Sequence, residues 1–476
     1  RYPLEKMDAA WKLLLLNQFH DILPGSSIGK VYEKARADHA QVLAEAESVA
    51  DGARKALANG EGYTVFNSLS FARKGIVVLP DCFASGARTA DGREIPTQKT
   101  AEGVLAEVPA PALGAVTLYP CTVSAPGPAA RAALTADGAV LENAHVRAAF
   151  NARGEIVSFV DKATGREFAA GPMNRLLAFK DVPRLFDAWD VDSNYELSPL
   201  ALDEPVTLTV RQAEGPRAVL HLERKILHSA FAQDIVLAAD GRRVDFVTTV
   251  DWHELHRLLK VEFPVSVQAS EGINEIQFGY LKRPTHRSRL YDSDRFEVCN
   301  QRYSALCDES HGAAVLNDCK YGISMKENAL QLTLLRAPAA PEMRADNGVH
   351  HFTYAFCGWE GPFLSSPVVR EAYDLNVPLT TELGSCADLP AALDLTAENV
   401  FVDTVKPAED GSGDVILRLC EAKRADTACE LALRLPVSSA QVCDMLENPV
   451  EDLDLSAGAL RLHFHPFEVK TLRLRP

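Results

Sequence analysis

Hydrophobic and polar positions along the chain follow two rhythms, and the change between them is sharp. From Tyr2 to about Asn59 the residues are helix formers, with apolar or small side chains at Ala35, Val42, Ala46, Val49, Ala53 and Leu57, spaced by three, four or seven. That spacing predicts one long helix packed along a seam. A shorter helix holding Trp11 to Phe19 precedes it, and Pro24-Gly25-Ser26-Ser27 lies between the two. Pro and Gly are expected to end the first helix, and Ser26 or Ser27 to cap the second. The pair predicts an antiparallel hairpin, closed by Asn59-Gly60.

From Tyr63 onward the chain consists of short alternating or β-branched runs broken by Gly, Pro, Asp and Asn, such as "TVFNSL", "GIVVLP", "DFVTTVDW", "LKVEFPVSV" and "VKTLRLRP". More than four hundred residues of this pattern exceed one sandwich. Two stretches suggest divisions: "SAPGPAARAAL" near 124 to 134 and "CADLPAALDLTAEN" near 386 to 399. The predicted fold is mainly β with an amino-terminal helical segment. Its expected parts are a helix hairpin (1–59), a small β-sandwich (60–126), a large one (127–395) and a carboxy-terminal one (396–476).

Composition narrows the partners. With 476 residues, 47% of them apolar, the chain can bury several cores, so more than one domain is expected. A formal charge of −16 argues against nucleic acid or an anionic membrane, since both require clustered Lys and Arg. A neutral partner fits better. No apolar run reaches the roughly 18 residues of a membrane helix, and the first residues lack the succession of a signal peptide. Ten cysteines show no C-x-x-C pair, and no Asn-x-Ser/Thr sequon occurs. A reducing, cytoplasmic setting is expected.

Candidate chemistry begins at "LLLLNQFHDILPGSSI", residues 13–28, where an imidazole and a carboxylate, His20 and Asp21, fall where the backbone must turn. A histidine on an apolar helix can be a hydrogen-bonded core residue or a metal ligand, and Asp21 can orient it, contact a metal, or accept a hydroxyl. His253-Glu254-Leu255-His256 is one residue short of H-e-x-x-H and sits between strand patterns, which speaks against a zinc pair there. His350-His351 and His463-Phe464-His465 read as polar surface positions in strands, with 463 and 465 on one face. The run "FKDVPRLFDAWDVDSNYE" interleaves Asp181, Asp187, Asp190, Asp192 and Glu196 with Phe186, Trp189 and Tyr195. Aromatic platforms beside carboxylates suit a sugar, although the same run also reads as an irregular loop with solvated acids.

The stretch "AWKLLLLNQFHDILPGSSIGKVY" resembles the helix-hairpin signature of glycoside hydrolase family 38, the α-mannosidases, in its cytosolic, vacuolar and bacterial branch. "NRLLAFKDVPRLFDAWDVDSNY", "VDWHELHRLLKVEFPV", "EIQFGYLKRPTHRSRLYDSDRFEV", "LTLLRAPAAPEMRADNGVHHFTYAF" and "VKPAEDGSGDVILRLCE" are similar to that family's β region in the same order. The resemblance implies that His20 is a ligand of an active-site zinc ion and that Asp21 contacts the hydroxyls of bound mannose. Trp189, Asp190 and Asp192 are expected on the same side of the molecule as His20, as a wall of the sugar pocket.

In that family the other metal ligands, an H-x-D pair and an aspartate that is also the nucleophile, lie in a preceding α/β barrel. The chain contains no H-x-D. It therefore reads as the carboxy-terminal part of a mannosidase, with no catalytic nucleophile or acid to name and with the barrel as a missing partner. The resemblance implies a retaining hydrolysis of α-linked mannose in oligosaccharides, assisted by one divalent ion, and an inactive chain on its own. A homo-oligomer is compatible with it. The rival reading is a non-catalytic carbohydrate-binding or scaffolding β module.

Overall fold

Residues 2–124, 127–386 and 391–476 are described in a computed structural model, so parts of both expected divisions, 125–126 and 387–390, lie outside the described residues. Strands make up 49% of the chain and helices 14%, in several antiparallel sheets. Beyond residue 130 the only α-helix among the described residues is Val368–Asn376. The fold is mainly β with an amino-terminal helical segment, as the alternation indicates.

Helices α1, Leu4–Leu16, and α2, Gly29–Leu57, form the hairpin. Its antiparallel sense is fixed by an ion pair of Lys6 with Glu45 and, toward the turn, a 3.3 Å bond from Asn17 Nδ2 to Asp38 Oδ2. Two details differ from the sequence reading. Helix α1 ends at Leu16, well before Pro24, because the Asn17 side chain turns back to the Leu13 carbonyl (2.9 Å) and commits its other bond to buried Asp38. Ser26 and Ser27 do not cap α2: the Ser26 hydroxyl donates to Asp21, and the Ser27 N–H donates to the Tyr32 hydroxyl. The expected seam is also largely open, since only Ala35 and Asp38 of α2 are buried. Two helices cover one stripe of each other, and Trp11, Leu15, Leu16, Leu23 and Leu43 remain exposed.

The chain divides into two compact units. The first comprises residues 1–56, 128–272 and 283–359. Its β part holds a sheet with strand order 199–200, 175–180, 257–264, 329–335, 322–326 and 298–299. A second, nine-stranded sheet includes, in order, 206–212, 217–226, 229–238, 243–252, 348–360, 311–317 and 303–307, and a third is built on 130–161. Inward-facing rings from the first two sheets form the core: Phe263 stacks on Phe356 at 5.5 Å, and Phe246 on Tyr354 at 5.0 Å. The polar atoms buried there satisfy one another. The Tyr354 hydroxyl donates to Asn174 Oδ1, Asn174 donates to Gln233, and Gln233 donates back to the Tyr354 oxygen.

The second unit comprises residues 57–127, 273–282 and 360–476. Strand Asn59–Asn67 lies between Gly114–Pro120 and Thr380–Ser385, so a segment that the sequence division leaves with the preceding large block completes the small sheet instead. Val65, Val104 and Leu118 form the core there. The last residues make a separate core of Leu419, Leu431, Leu460, Phe464 and Leu472 between sheets built on 400–475 and 393–464.

Candidate functional site

The turn after α1 is held by its own polar atoms. Tyr32, one turn into α2, donates its hydroxyl to the Asp21 carbonyl (3.0 Å) while accepting the Ser27 N–H (2.7 Å). Gly25 takes a φ of +84°, the left-handed conformation that glycine tolerates best. With its carbonyl and one carboxylate oxygen so engaged, Asp21 keeps Oδ2 3.4 Å from His20 Nε2. The imidazole points outward, its side chain 69% exposed, and leans on the Phe19 ring.

Facing His20 is the irregular segment 181–192 of the same unit. Phe186 sits at φ +53°, and its carbonyl accepts the N–H groups of Trp189 (2.7 Å) and Asp190 (2.8 Å), closing a tight turn that presents Trp189. The Trp189 ring meets His20 edge-on, with centroids 6.5 Å apart. Together with Asp21, Arg184 and Pro341 they line a cleft of about 710 Å³, a volume suited to a small oligosaccharide.

What fixes the loop is a set of ties to residues far along the chain. Arg336 donates Nε to buried Asp181 (2.7 Å) and Nη2 to the carbonyls of Asp190 (2.7 Å) and Asp187 (3.2 Å). Its own carbonyl accepts from Trp252, a fully buried core residue (3.0 Å). Asp187 Oδ2 accepts from the backbone of Ala339 (2.6 Å) and Ala340 (3.1 Å) and pairs with His256 Nε2 (3.0 Å). Burial pushes the Asp187 carboxyl upward, but the backbone N–H groups and His256 outweigh it and leave its pKa below the ordinary value. From the same segment, Glu342 Oε2 accepts the first N–H of α2, at Gly29 (2.6 Å), anchoring the hairpin beside the loop. A Cβ at position 29 would stand 2.1 Å from that carboxylate oxygen, so glycine is what admits it.

Of the residues singled out in the sequence, His20, Asp21 and Trp189 share the cleft. Asp190 contributes its backbone to Arg336, and Asp192 Oδ2 accepts the Arg184 N–H (3.0 Å), shaping the wall from behind. The short H-e-l-H run forms no pair: His253 bonds Asp251, His256 bonds Asp187, and buried Glu254 receives Ser229 and the His228 N–H. His350 bonds the Asp346 carbonyl, and His351 faces Thr249. Arg336 and Glu342 had no local signal, because their partners lie 155 and 313 residues away.

A zinc site needs about three protein ligands. The cleft offers the His20 imidazole and the Asp21 carboxylate, and neither belongs to a converging group of three or more ligand residues among the described ones. The donor types fit a divalent ion, as part of a coordination sphere.

Comparison with known proteins places these features in a family. Residues 1–57 match the domain family described as alpha mannosidase middle domain, 141–344 the glycosyl hydrolases family 38 C-terminal domain, and 399–472 that family's C-terminal beta sandwich domain. The chain is 37% identical to human alpha-mannosidase 2C1, over 99% of its own length and 46% of that protein. It is 29% identical to alpha-mannosidase G of Dictyostelium discoideum, over 97% of its length and 47% of that protein. The chain thus spans less than half of these curated relatives. The crystal structure of an alpha-mannosidase from Enterococcus faecalis V583 has the same fold, with a TM-score of 0.81 at 15% identity, covering 99% of this chain and 64% of that one.

Proposed function

Because this chain belongs to glycosyl hydrolase family 38, we propose that it is part of a retaining α-mannosidase that removes terminal α-linked mannose from oligosaccharides or glycans, in the cytoplasm. The observation that carries this reading is the cleft in which Trp189 from the β region faces His20 and Asp21 from the helix hairpin. Trp189 offers a half-exposed ring on which the C–H face of a sugar can pack, and Asp21 Oδ2 offers an acceptor for a hydroxyl. His20 sets a largely exposed imidazole in the lining of the same cleft, as one ligand of a divalent ion taken to be zinc. Such an ion supplies Lewis-acid anchoring of sugar hydroxyls.

The chain's own part is binding and positioning. Arg336, Asp187 and Glu342 keep the two walls in register, so that ring and imidazole meet the same sugar. The nucleophile, the general acid and the remaining metal ligands belong to the rest of the parent enzyme. The exposed apolar side chains of Trp11, Leu15, Leu16 and Leu23 on the hairpin supply a surface for that part to cover.

Mannoside binding by the complete enzyme, with and without chelator, tests the reading. Binding that chelator abolishes and that His20→Ala weakens supports the hydrolase site. Binding that is indifferent to both, but lost in Trp189→Ala, would instead identify a metal-free carbohydrate-binding module.

A further inference from the structure

Strand Ala459–Phe464 pairs antiparallel with Thr427–Leu433 in the second unit, with Thr427 opposite Phe464 and Ala428 opposite His463. This register carries Asp426 across from His465. Side chains two apart on a strand share a face, so His463, His465 and Asp426 emerge together, away from the core that Phe464 enters.

Their geometry is convergent. Asp426 Oδ2 lies 3.0 Å from His463 Nε2, and Oδ1 lies 3.2 Å from His465 Nδ1. The two imidazoles stand perpendicular at 5.3 Å between centroids, and the ligand atoms of all three residues lie within 4.8 Å of one another. It is the one such convergent group of His, Cys, Asp or Glu among the described residues. The backbone is fixed as well: Glu468 accepts the His465 N–H at 2.8 Å and is itself held by Lys470.

We propose that Asp426, His463 and His465 form a surface site for a divalent transition-metal ion of the zinc class, sharing no residue with the sugar cleft. Two neutral imidazoles and a carboxylate suit zinc, cobalt or nickel rather than magnesium or calcium, which require mostly oxygen ligands. Ligand atoms on a tetrahedral zinc ion at about 2.0 Å are separated by about 3.3 Å, close to the 3.0 and 3.2 Å that already part each imidazole nitrogen from the carboxylate. An ion seated there replaces the protons that now bridge imidazole and carboxylate. Three protein ligands leave a coordination position open to solvent or to a group on another molecule.

The test is titration of the chain with zinc against a chromophoric chelator, and with cobalt followed by its visible absorption. The expected result is about micromolar affinity, weakened about tenfold or more in His463→Ala, His465→Ala and Asp426→Asn, and retained in Asp426→His, which restores a ligand. His20→Ala should leave this site intact, which separates the outcome from that of the sugar cleft. All three residues are exposed, so thermal unfolding without metal should not change in the variants. Equal affinity in the wild type and the alanine variants, or no binding by the wild type at millimolar zinc, would overturn the proposal.

Discussion

Trp189 and His20 meet edge to face, their ring planes at 87°, although one comes from a loop of the β region and the other from the turn of the helix hairpin. Each ring is more than half exposed, so the contact forms the wall of a cleft rather than a core. In the complete enzyme, Trp189→Ala should raise KM for an α-mannoside about tenfold, the effect of losing about 1.4 kcal/mol of ring contact. Melting temperature should not change. An unaltered KM would place the sugar elsewhere.

Arg336 acts on the opposite side of the same loop. Replacing it with Met leaves the Asp181 carboxylate buried without its partner and frees the carbonyls of Asp187 and Asp190. Urea unfolding should show a loss of about 3 kcal/mol. Arg336→Lys should recover only part of it, because an ammonium cannot span a carboxylate and two carbonyls as the guanidinium fork does. A loss below about 1 kcal/mol would mean that the loop is held by other contacts.

Asp187 carries a pH dependence whose sign is fixed by its environment. The Ala339 and Ala340 N–H groups and His256 hold its carboxyl below the usual aspartate range despite its burial, so its stabilisation is fully present above that range and is lost as pH falls through the lower, folded value. Acid titration should therefore loosen the 336–341 segment below about pH 4. Asp187→Asn should destabilise the protein at neutral pH and flatten this part of the acid profile. An unchanged profile in Asp187→Asn would contradict the assignment.

Glu342→Ala removes the acceptor at the start of α2 and should cost about 1 kcal/mol. Amide exchange at Gly29 to Tyr32 should quicken, and the mannoside KM should rise with it, because the hairpin then turns more freely against the loop. Exchange rates equal to those of the wild type would show that the turn holds itself.

Much of the fold was legible because its signals are local. Strand periodicity identified the β region, and "FHD" before Pro-Gly drew attention to the turn at His20. Helix α1 is shorter than its pattern suggests, because Asn17 ends it by bonding back to Leu13 and across to Asp38, and the second bond depends on tertiary structure. The serine caps failed for a related reason: the acceptor at the start of α2 is a glutamate from the β region, and Ser26 is drawn to Asp21. The loop's acids appeared as a cluster, but which of them bind the protein's own backbone depended on Arg336 and the 336–341 segment. The cross-strand meeting of Asp426 with the paired histidines required the register, which alternation alone does not supply.

The most direct test of the account is hydrolysis of an aryl α-mannoside by this chain alone and by the chain joined to the remainder of its parent enzyme. The cleft supplies His20 and Asp21 but no third converging ligand among the described residues, so the chain alone should show no turnover. With the remainder restored, turnover should appear, chelator should remove it, His20→Ala should abolish it, and Asp21→Asn should weaken it. Robust metal-dependent turnover by the chain alone would contradict the account, because a complete catalytic set would then lie among residues assigned here to structure.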